Sequence, residues 1–575
     1  MQSSPGDTLS PPGNGQGVDI KLARRGEVDI SHAGTHLEPE VPVIHEDEKD
    51  QSSVLVEQLQ NAIESQQTTS PFIPLNAQKK LITRSAIKEE LEIVARKYKR
   101  NIDDNLDHWT SKIFDPILTS GKPSRTSSTT SRVLLFSILL LAGYPHRIFA
   151  FIRKDIYDKD LPFDCNTTQP TVDQSAEDVV RPPTKVDLLT EWPTTDLLAF
   201  NNIQWYFLAP FFNMQDGKVQ FYPLRNMVPL PFLACGSKRE IIAGGFGQVF
   251  KVEIHPAHHN YPFSDPSVRA PLPNISLVTN TWIQEANTPS CDADQKWYFA
   301  VKKLICPNGE DPERERKLFE KEVKALKRFN NAAKNKHFIK LLSTYYYEGH
   351  YHLIFPWANG NLREYWQATP LPAHDYENLL WISEQCAGLT EALKMLHNDE
   401  FKITETSETL SLPAGQSEGA RHGDVKPTNI LWFNTKDGVV LKLSDFGLTR
   451  FHRKVSELRM YDRVIGSWTY RAPECDLQKS ISPMYDMWSL GCVFLEFLSW
   501  YMLGFEKGIE LFTSQRVAED NAPHIRGDSF FNAAMTEEGA KYGAYLKLSV
   551  IKVSVPHSIV YHKINFQPLT SILAY

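Results

Sequence analysis

Apolar positions recur at several different spacings along this chain. In AIKEELEIVARKYKRNIDD, from residue 86, Ile87, Leu91, Ile93, Val94 and Tyr98 follow roughly helical spacing and predict an amphipathic helix. VLLFSILLLAGY (133–144) is apolar throughout. Its twelve residues are too few to span a bilayer, so a buried helix is expected. LLAFNNIQWYFLAPFFN (197–213) is aromatic and apolar enough to enter a core. From about residue 236 the texture becomes short strand-like runs with turns. From about 376 it is helical, led by the amphipathic DYENLLWISEQCAGLTEALKMLH (375–397). A β-rich part followed by an α-rich part predicts two lobes.

Polar segments separate these parts. Residues 1–80, rich in Ser, Pro, Gly, Gln and acidic side chains, lack sustained periodicity and are expected to be disordered. A mostly helical region over 81–235 follows, then the two-lobed unit over 236–535, divided near 357/358, and an atypical tail over 536–575. Two polar stretches inside the unit, 255–296 and 401–420, read as inserted surface loops.

Composition narrows the function classes. The 62 basic and 69 acidic residues leave a net charge of −7, with no face suited to counterion release from nucleic acid. Neither a nucleic-acid nor a membrane partner is expected. The N-terminus MQSSPGDTLSPPGNGQG has no signal-peptide pattern, and seven scattered cysteines without C-x-x-C spacing suggest reduced thiols. The protein is therefore expected to be intracellular, cytoplasmic or nuclear, and not secreted.

Five motifs in order carry candidate chemistry. IIAGGFGQVFKVEI (241–254) puts glycines between β-prone runs, where backbone N–H groups can approach phosphate oxygens; alone it is also an ordinary turn. WYFAVKKL (297–304) is a strand carrying Lys302. In ERERKLFEKEVKALKRF (313–329), Glu322 shares a helix face with Leu318 and Leu326, four residues away on either side. A carboxylate on an inward stripe needs a partner, and Lys302 is the candidate. ARHGDVKPTNILWF (420–433) presents Asp424, Lys426 and Asn429, and VVLKLSDFGLTR (439–450) delivers Asp445 to a loop. Asn429 and Asp445 would suit the sparse oxygen ligation of Mg²⁺, and Asp424 would accept or orient the proton of an attacking hydroxyl.

This ordered set resembles the eukaryotic protein kinase family over about 236–535. The resemblance implies an α+β, two-lobed kinase-like fold, with a β-rich small lobe and an α-helical large lobe. It implies ATP and Mg²⁺ as cofactors and a protein substrate with a Ser or Thr acceptor. Ile242, Gly244, Gly245, Phe246, Gly247, Val249 and Ala300 would line the nucleotide site, with Lys302 anchoring phosphates and Glu322 as its helix partner. Phe355, Pro356, Trp357 and Ala358 would form the hinge that reads adenine. Asp424 matches the catalytic aspartate, Lys426 the lysine that steadies the transferred phosphate, and Asn429 and Asp445 the metal ligands. Asp486, in YDMWSLGCVFLEFLSW (485–500), would brace the catalytic loop, and GSWTYRAPE (466–474) looks like the end of an activation segment. Lys426 two residues after Asp424, and Ser467, fit the serine/threonine type. The helical region ahead of the domain is similar to multi-part kinase-like proteins of filamentous fungi.

Three departures qualify the resemblance. Ile242 replaces the first glycine of the phosphate loop. Gly423 stands where the family has the arginine that pairs with an activation-loop phosphate, so no strong dependence on that phosphorylation is expected. The glutamate of the APE motif, Glu474, usually pairs with a late arginine, and no arginine follows Arg526. A buried carboxylate losing its partner costs roughly 3–5 kcal/mol, so an incomplete large lobe is expected. The alternative to an active kinase is a pseudokinase or scaffold that binds ATP without efficient transfer.

Overall fold

The computed structural model describes residues 53–64, 70–98, 105–115, 131–165, 183–215, 219–233, 241–244, 247–261, 298–305, 312–330, 335–397, 419–452, 467–477, 482–520, 527–535 and 542–554. Gly245 and Phe246 lie outside the described residues, as do 262–296 and 401–418 of the two insertions and the tail from 555.

Helices form the first part: α1 (Val54–Asn61), α2 (Leu75–Leu81), α3 (Arg84–Tyr98), α4 (Leu106–Phe114), α5 (Val133–Ala142), α6 (Ile148–Arg153) and α7 (Thr194–Gln204). The stripe read from the sequence is the buried face of α3, with Ile87, Leu91, Val94 and Tyr98 inside and Ile93 exposed. Helix α5 is buried on nearly all sides and stops at Gly143, whose φ of +87° suits glycine. The expectation of disorder over 1–80 is corrected at 53–64 and 70–80. Ser53 caps α1 by accepting from the Val56 N–H at 3.2 Å, and Leu55, Val56, Leu59 and Ile73 join the core of α3 and α5. Eight-residue helices set in polar sequence are too short to show a period.

The small lobe starts earlier than residue 236. It contains β1 (Phe221–Pro223), β2 (Phe232–Leu233), β3 (Ile241–Gly244), β4 (Gly247–Ile254), β5 (Tyr298–Leu304), α8 (Pro312–Asn330), β6 (Ser343–Tyr347) and β7 (His350–Pro356). The strands run in the order β1-β6-β7-β5-β4-β2, with β3 also on β4. Pairing is antiparallel except for β1 on β6. Phe212, Met214 and Phe232 pack with Val252, Phe299 and Ile354, so residues assigned to the helical region belong to this core.

The large lobe holds β8 (Gly360–Asn361), α9 (Leu362–Ala368), α10 (Tyr376–His397), β9 (Gly419–Arg421), β10 (Ile430–Thr435), β11 (Gly438–Leu443), β12 (Arg450–His452), α11 (Met484–Phe505), α12 (Phe512–Ala518), β13 (Phe531–Met535), β14 (Tyr542–Leu546) and α13 (Leu548–Ser554). The helical run 484–518 has the length and hydropathy of a membrane span, but Leu490, Val493, Phe497 and Trp500 are buried in the lobe's core. The atypical tail contributes α13, whose Val550 packs with Cys492, Leu495, Phe512 and Phe530.

The start of the first insertion is buried rather than a surface loop. In the turn Pro256–His258, His258 is fully buried and links the two parts. Its Nε2 accepts from the Leu75 N–H at 3.2 Å and its Nδ1 donates to the Pro210 carbonyl at 2.9 Å, while Phe72 meets the ring edge-on. Both nitrogens are thereby fixed for a neutral ring. Burial lowers the His258 pKa to about 4 and that of neighbouring His259 likewise to about 4. Because these values lie below the unfolded value of about 6.5, the stabilisation is complete above that pH. It is lost as pH falls from there through about 4. Each ring should cost about 2 kcal/mol between pH 7.5 and pH 5. Urea unfolding at the two pH values should show the drop, and His258→Gln should show less of it; an equal drop would remove His258 as the cause.

Candidate active site

The roof of the site is set by strand register. Val249 faces Lys302 across β4 and β5, and the Ile242 backbone pairs with Val249 from β3. Directly opposed residues share a face, and Ala300, two residues before Lys302, lies on it too. Gly244 pairs with Gly247 at the tip. A Cβ on Gly247 would lie 2.5 Å from the Lys303 carbonyl, so the hairpin needs glycine there to lie this close to β5. Phe355 and Pro356 close β7 opposite Ala300 and Phe299, and the Trp357 N–H reaches the Tyr298 carbonyl at 3.4 Å. Ala358 then leads the chain to β8.

Helix α8 is docked along one stripe. Glu315, Phe319 and Glu322, at i, i+4 and i+7, are all buried. Glu315 accepts from the Tyr351 N–H at 2.9 Å, Phe319 stacks on Tyr351 at 4.4 Å, and Glu322 takes the Lys302 ammonium at 2.7 Å. The Lys302–Glu322 pair expected from the sequence is therefore formed. Glu315 and Phe319 escaped the sequence reading, since neither carries chemistry.

The same Lys302 Nζ lies 2.8 Å from Asp445. Burial works against the Lys302 charge, but Asp445 and Glu322 outweigh it and hold the ammonium above its ordinary range. Burial likewise opposes the Asp445 charge, but Lys302 keeps that carboxyl below the usual range. Glu322 is pushed up by burial against the pull of Lys302, with Asp445 adding repulsion.

The floor comes from a hairpin and a braced loop. Ile430 pairs with Leu443 at the open end of β10–β11, which puts Asn429 opposite Ser444, the residue before Asp445. Ser444 fixes this by donating its N–H and its hydroxyl to the Asn429 carbonyl, each at 2.9 Å. Asp445 has a φ of +61°, a left-handed conformation that is uncommon for a residue with a side chain. Phe446 beside it is fully buried against Phe338 and His422.

Asp486, wholly buried at the start of α11, braces the loop before Asp424. Its carboxylate accepts from the His422 N–H at 2.7 Å, the Gly423 N–H at 2.8 Å and His397 Nε2 at 2.8 Å. Burial alone would raise Asp486, but these donors hold it low. Gly423 adopts a φ of +83° in this turn, which glycine takes freely. Asp424 is held at both oxygens: Oδ2 takes Lys426 Nζ at 2.8 Å and Asn429 Nδ2 at 2.9 Å, and Oδ1 takes the Ser467 N–H at 3.1 Å.

Behind this site lies a buried ion pair that the sequence reading missed. Glu474 is half-buried rather than buried, so the cost expected there does not apply. The buried acid is Glu496 on α11. It takes Arg516 Nη2 of α12 at 2.8 Å and the Tyr470 hydroxyl at 2.7 Å. The Arg516 guanidinium lies between Phe512 and Phe530, 4.2 Å from each ring centroid, and donates to the Asp528 carbonyl at 3.1 Å. Asp528 also accepts from Thr469. The segment around β13 thus closes the lobe by a route other than a late arginine.

The donor set fits a metal–nucleotide complex. Asn429 commits its amide nitrogen to Asp424, at Oδ2 and at the main-chain oxygen, both 2.9 Å away, which leaves Oδ1 as the acceptor end of the amide. Three carboxylates, Glu322, Asp424 and Asp445, face two ammonium groups, Lys302 and Lys426, and leave a net negative charge that favours a hard divalent cation.

Residues 289–520 match the protein kinase domain family. GLH-binding kinase 1 of Caenorhabditis elegans is 40% identical over 18% of this chain and 28% of its own length. The probable serine/threonine-protein kinase KIN28 homolog of Encephalitozoon cuniculi is 30% identical over 31% of this chain and 46% of its own. Cyclin-dependent kinase 4 of Ovis aries is 43% identical over 13% of this chain and 23% of its own. The chain spans less than half the length of each of these relatives. With its two lobes, its Lys302–Glu322 pair and its braced Asp424, this chain carries a domain of the eukaryotic protein kinase family.

Proposed function

We propose that the protein is a serine/threonine protein kinase that transfers the γ-phosphate of ATP to hydroxyls of a protein substrate. The observation that carries this reading is the convergence of Lys302, Glu322 and Asp445 within 2.8 Å across the lobes, with Asn429 and Asp424 alongside. Lys302, held by Glu322, would orient the nucleotide phosphates. Asp424 has lone pairs left to take the hydroxyl proton, and Lys426 beside it would steady the phosphoryl group. Mg²⁺ held by Asn429 and Asp445 would neutralise charge on the phosphate oxygens. Four described cysteines, Cys165, Cys386, Cys475 and Cys492, are unpaired, which supports an intracellular setting.

The test is transfer of label from γ-labelled ATP to a basic protein substrate by the purified full chain, followed by phosphoamino-acid analysis. Phosphoserine or phosphothreonine is expected; nucleotide binding without transfer, or phosphotyrosine alone, would overturn the reading. Phosphatase treatment should leave the rate unchanged. Gly423 offers no cation before Asp424, and the buried Arg421 guanidinium lies over the Tyr485 ring at 5.4 Å. A large fall after treatment would show that activation-loop phosphate matters after all.

A further inference from the structure

We propose that Phe221 is a positioning residue for Glu322, and that the strand ahead of the matched domain acts as a strut against α8. This inference rests on the kinase reading for its effect on catalysis, but not for its structural part.

Strand β1 lies outside residues 289–520 and adds to the edge of the small-lobe sheet as its parallel member. It is pinned at both ends. The Gln220 carbonyl accepts from the Thr344 N–H at 3.0 Å, and the Leu224 N–H donates to the Tyr346 carbonyl at 2.9 Å. Beyond β1, the Glu348 N–H donates to Asn226 Oδ1 at 3.0 Å and the Tyr347 hydroxyl to the Asn226 carbonyl at 3.1 Å. This attachment fixes the Phe221 ring 5.7 Å from Phe319 and 6.2 Å from Tyr351. Phe319 lies one helical turn from Glu322 on the docked stripe of α8. The ring cluster therefore presses that turn toward β5, where Glu322 must stay within 2.7 Å of Lys302.

Three anchors hold this face of α8: the Glu315 carboxylate on the Tyr351 N–H, the ring cluster, and the Lys302–Glu322 pair. The middle one alone depends on the N-terminal segment. Phe221 keeps 41% of its surface exposed, so truncating it removes a ring contact without opening a core cavity. The contact is thus strong enough to bias the helix and too shallow to hold up the fold.

The experiment compares the full chain with Phe221→Ala and Phe221→Tyr. In the alanine variant, amide hydrogen exchange within 312–327 should quicken about threefold to tenfold, the range an aromatic pair spans. Exchange in α10 and α11 should stay as in the parent, and the thermal midpoint should fall by no more than a few degrees. The turnover number should fall by a similar factor while the KM for protein substrate holds, because the Asp424 side of the site is untouched. The tyrosine variant, which keeps the ring, should restore both. Unchanged exchange in α8, or faster exchange spread over the whole chain, would overturn the proposal. A parent that transfers no phosphate would defeat the kinase reading instead, and the exchange data would still decide the strut.

Discussion

Asp424→Asn should lower phosphate transfer by roughly 10²–10⁴-fold, the range of a positioned general base. Asp445→Asn should lower it by at least about 10²-fold, as expected when the cation that would offset the developing charge loses an anionic ligand. The two losses have different signatures. Asp424 accepts from Lys426 and Asn429 at one oxygen and from Ser467 at the other, and an amide oxygen can still meet the first two. Nucleotide binding should therefore survive in that variant while the proton acceptor is gone. Asp445 instead faces Lys302 and is assigned to the metal, so its loss should weaken nucleotide binding most where Mg²⁺ is present. Label transfer measured beside thermal shifts with ATP, with and without Mg²⁺, separates the two. If both variants transferred label as fast as the parent, the assigned roles would be wrong.

What could be read from the sequence follows from where the chemistry sits. Lys302, Glu322, Asp424, Asn429 and Asp445 were legible because each occupies a fixed offset from a strand, a helix stripe or a turn. The hairpin register that puts Asn429 opposite Ser444, and so one residue from Asp445, follows directly from the two strands that flank them. The start of the small lobe was not legible. β1 and β2 have three and two residues, too few for alternation to show, and the partner of β1 lies more than a hundred residues away. The boundary at 236 followed the change in texture, whereas the fold follows the packing of Phe212 and Phe232. Glu496 was legible in principle: a lone carboxylate amid VFLEFLSW demands a cation, by the same reasoning that linked Glu322 to Lys302. That cation is Arg516, twenty residues on.

Arg516→Met should destabilise the protein by roughly 3–5 kcal/mol, the cost of leaving a buried carboxylate without its cation. Burial already pushes Glu496 upward, opposed by Arg516, so removing the guanidinium raises it further. An acid whose folded pKa lies above its unfolded value destabilises most when ionised. The deficit of the variant should therefore shrink as pH falls from 8 toward 6 and Glu496 takes up a proton. The double variant Arg516→Met with Glu496→Leu should recover most of the loss, because two apolar side chains replace a pair whose desolvation was costly. Transfer should recover less than stability. Tyr470 donates to Glu496 and Thr469 to Asp528, so the same network holds the stretch between Ser467 and Glu474 on which a substrate would rest. Urea unfolding at three pH values, with transfer rates for each variant, tests both statements. Full recovery of transfer in the double variant would mean that Glu496 stabilises the lobe without positioning that stretch.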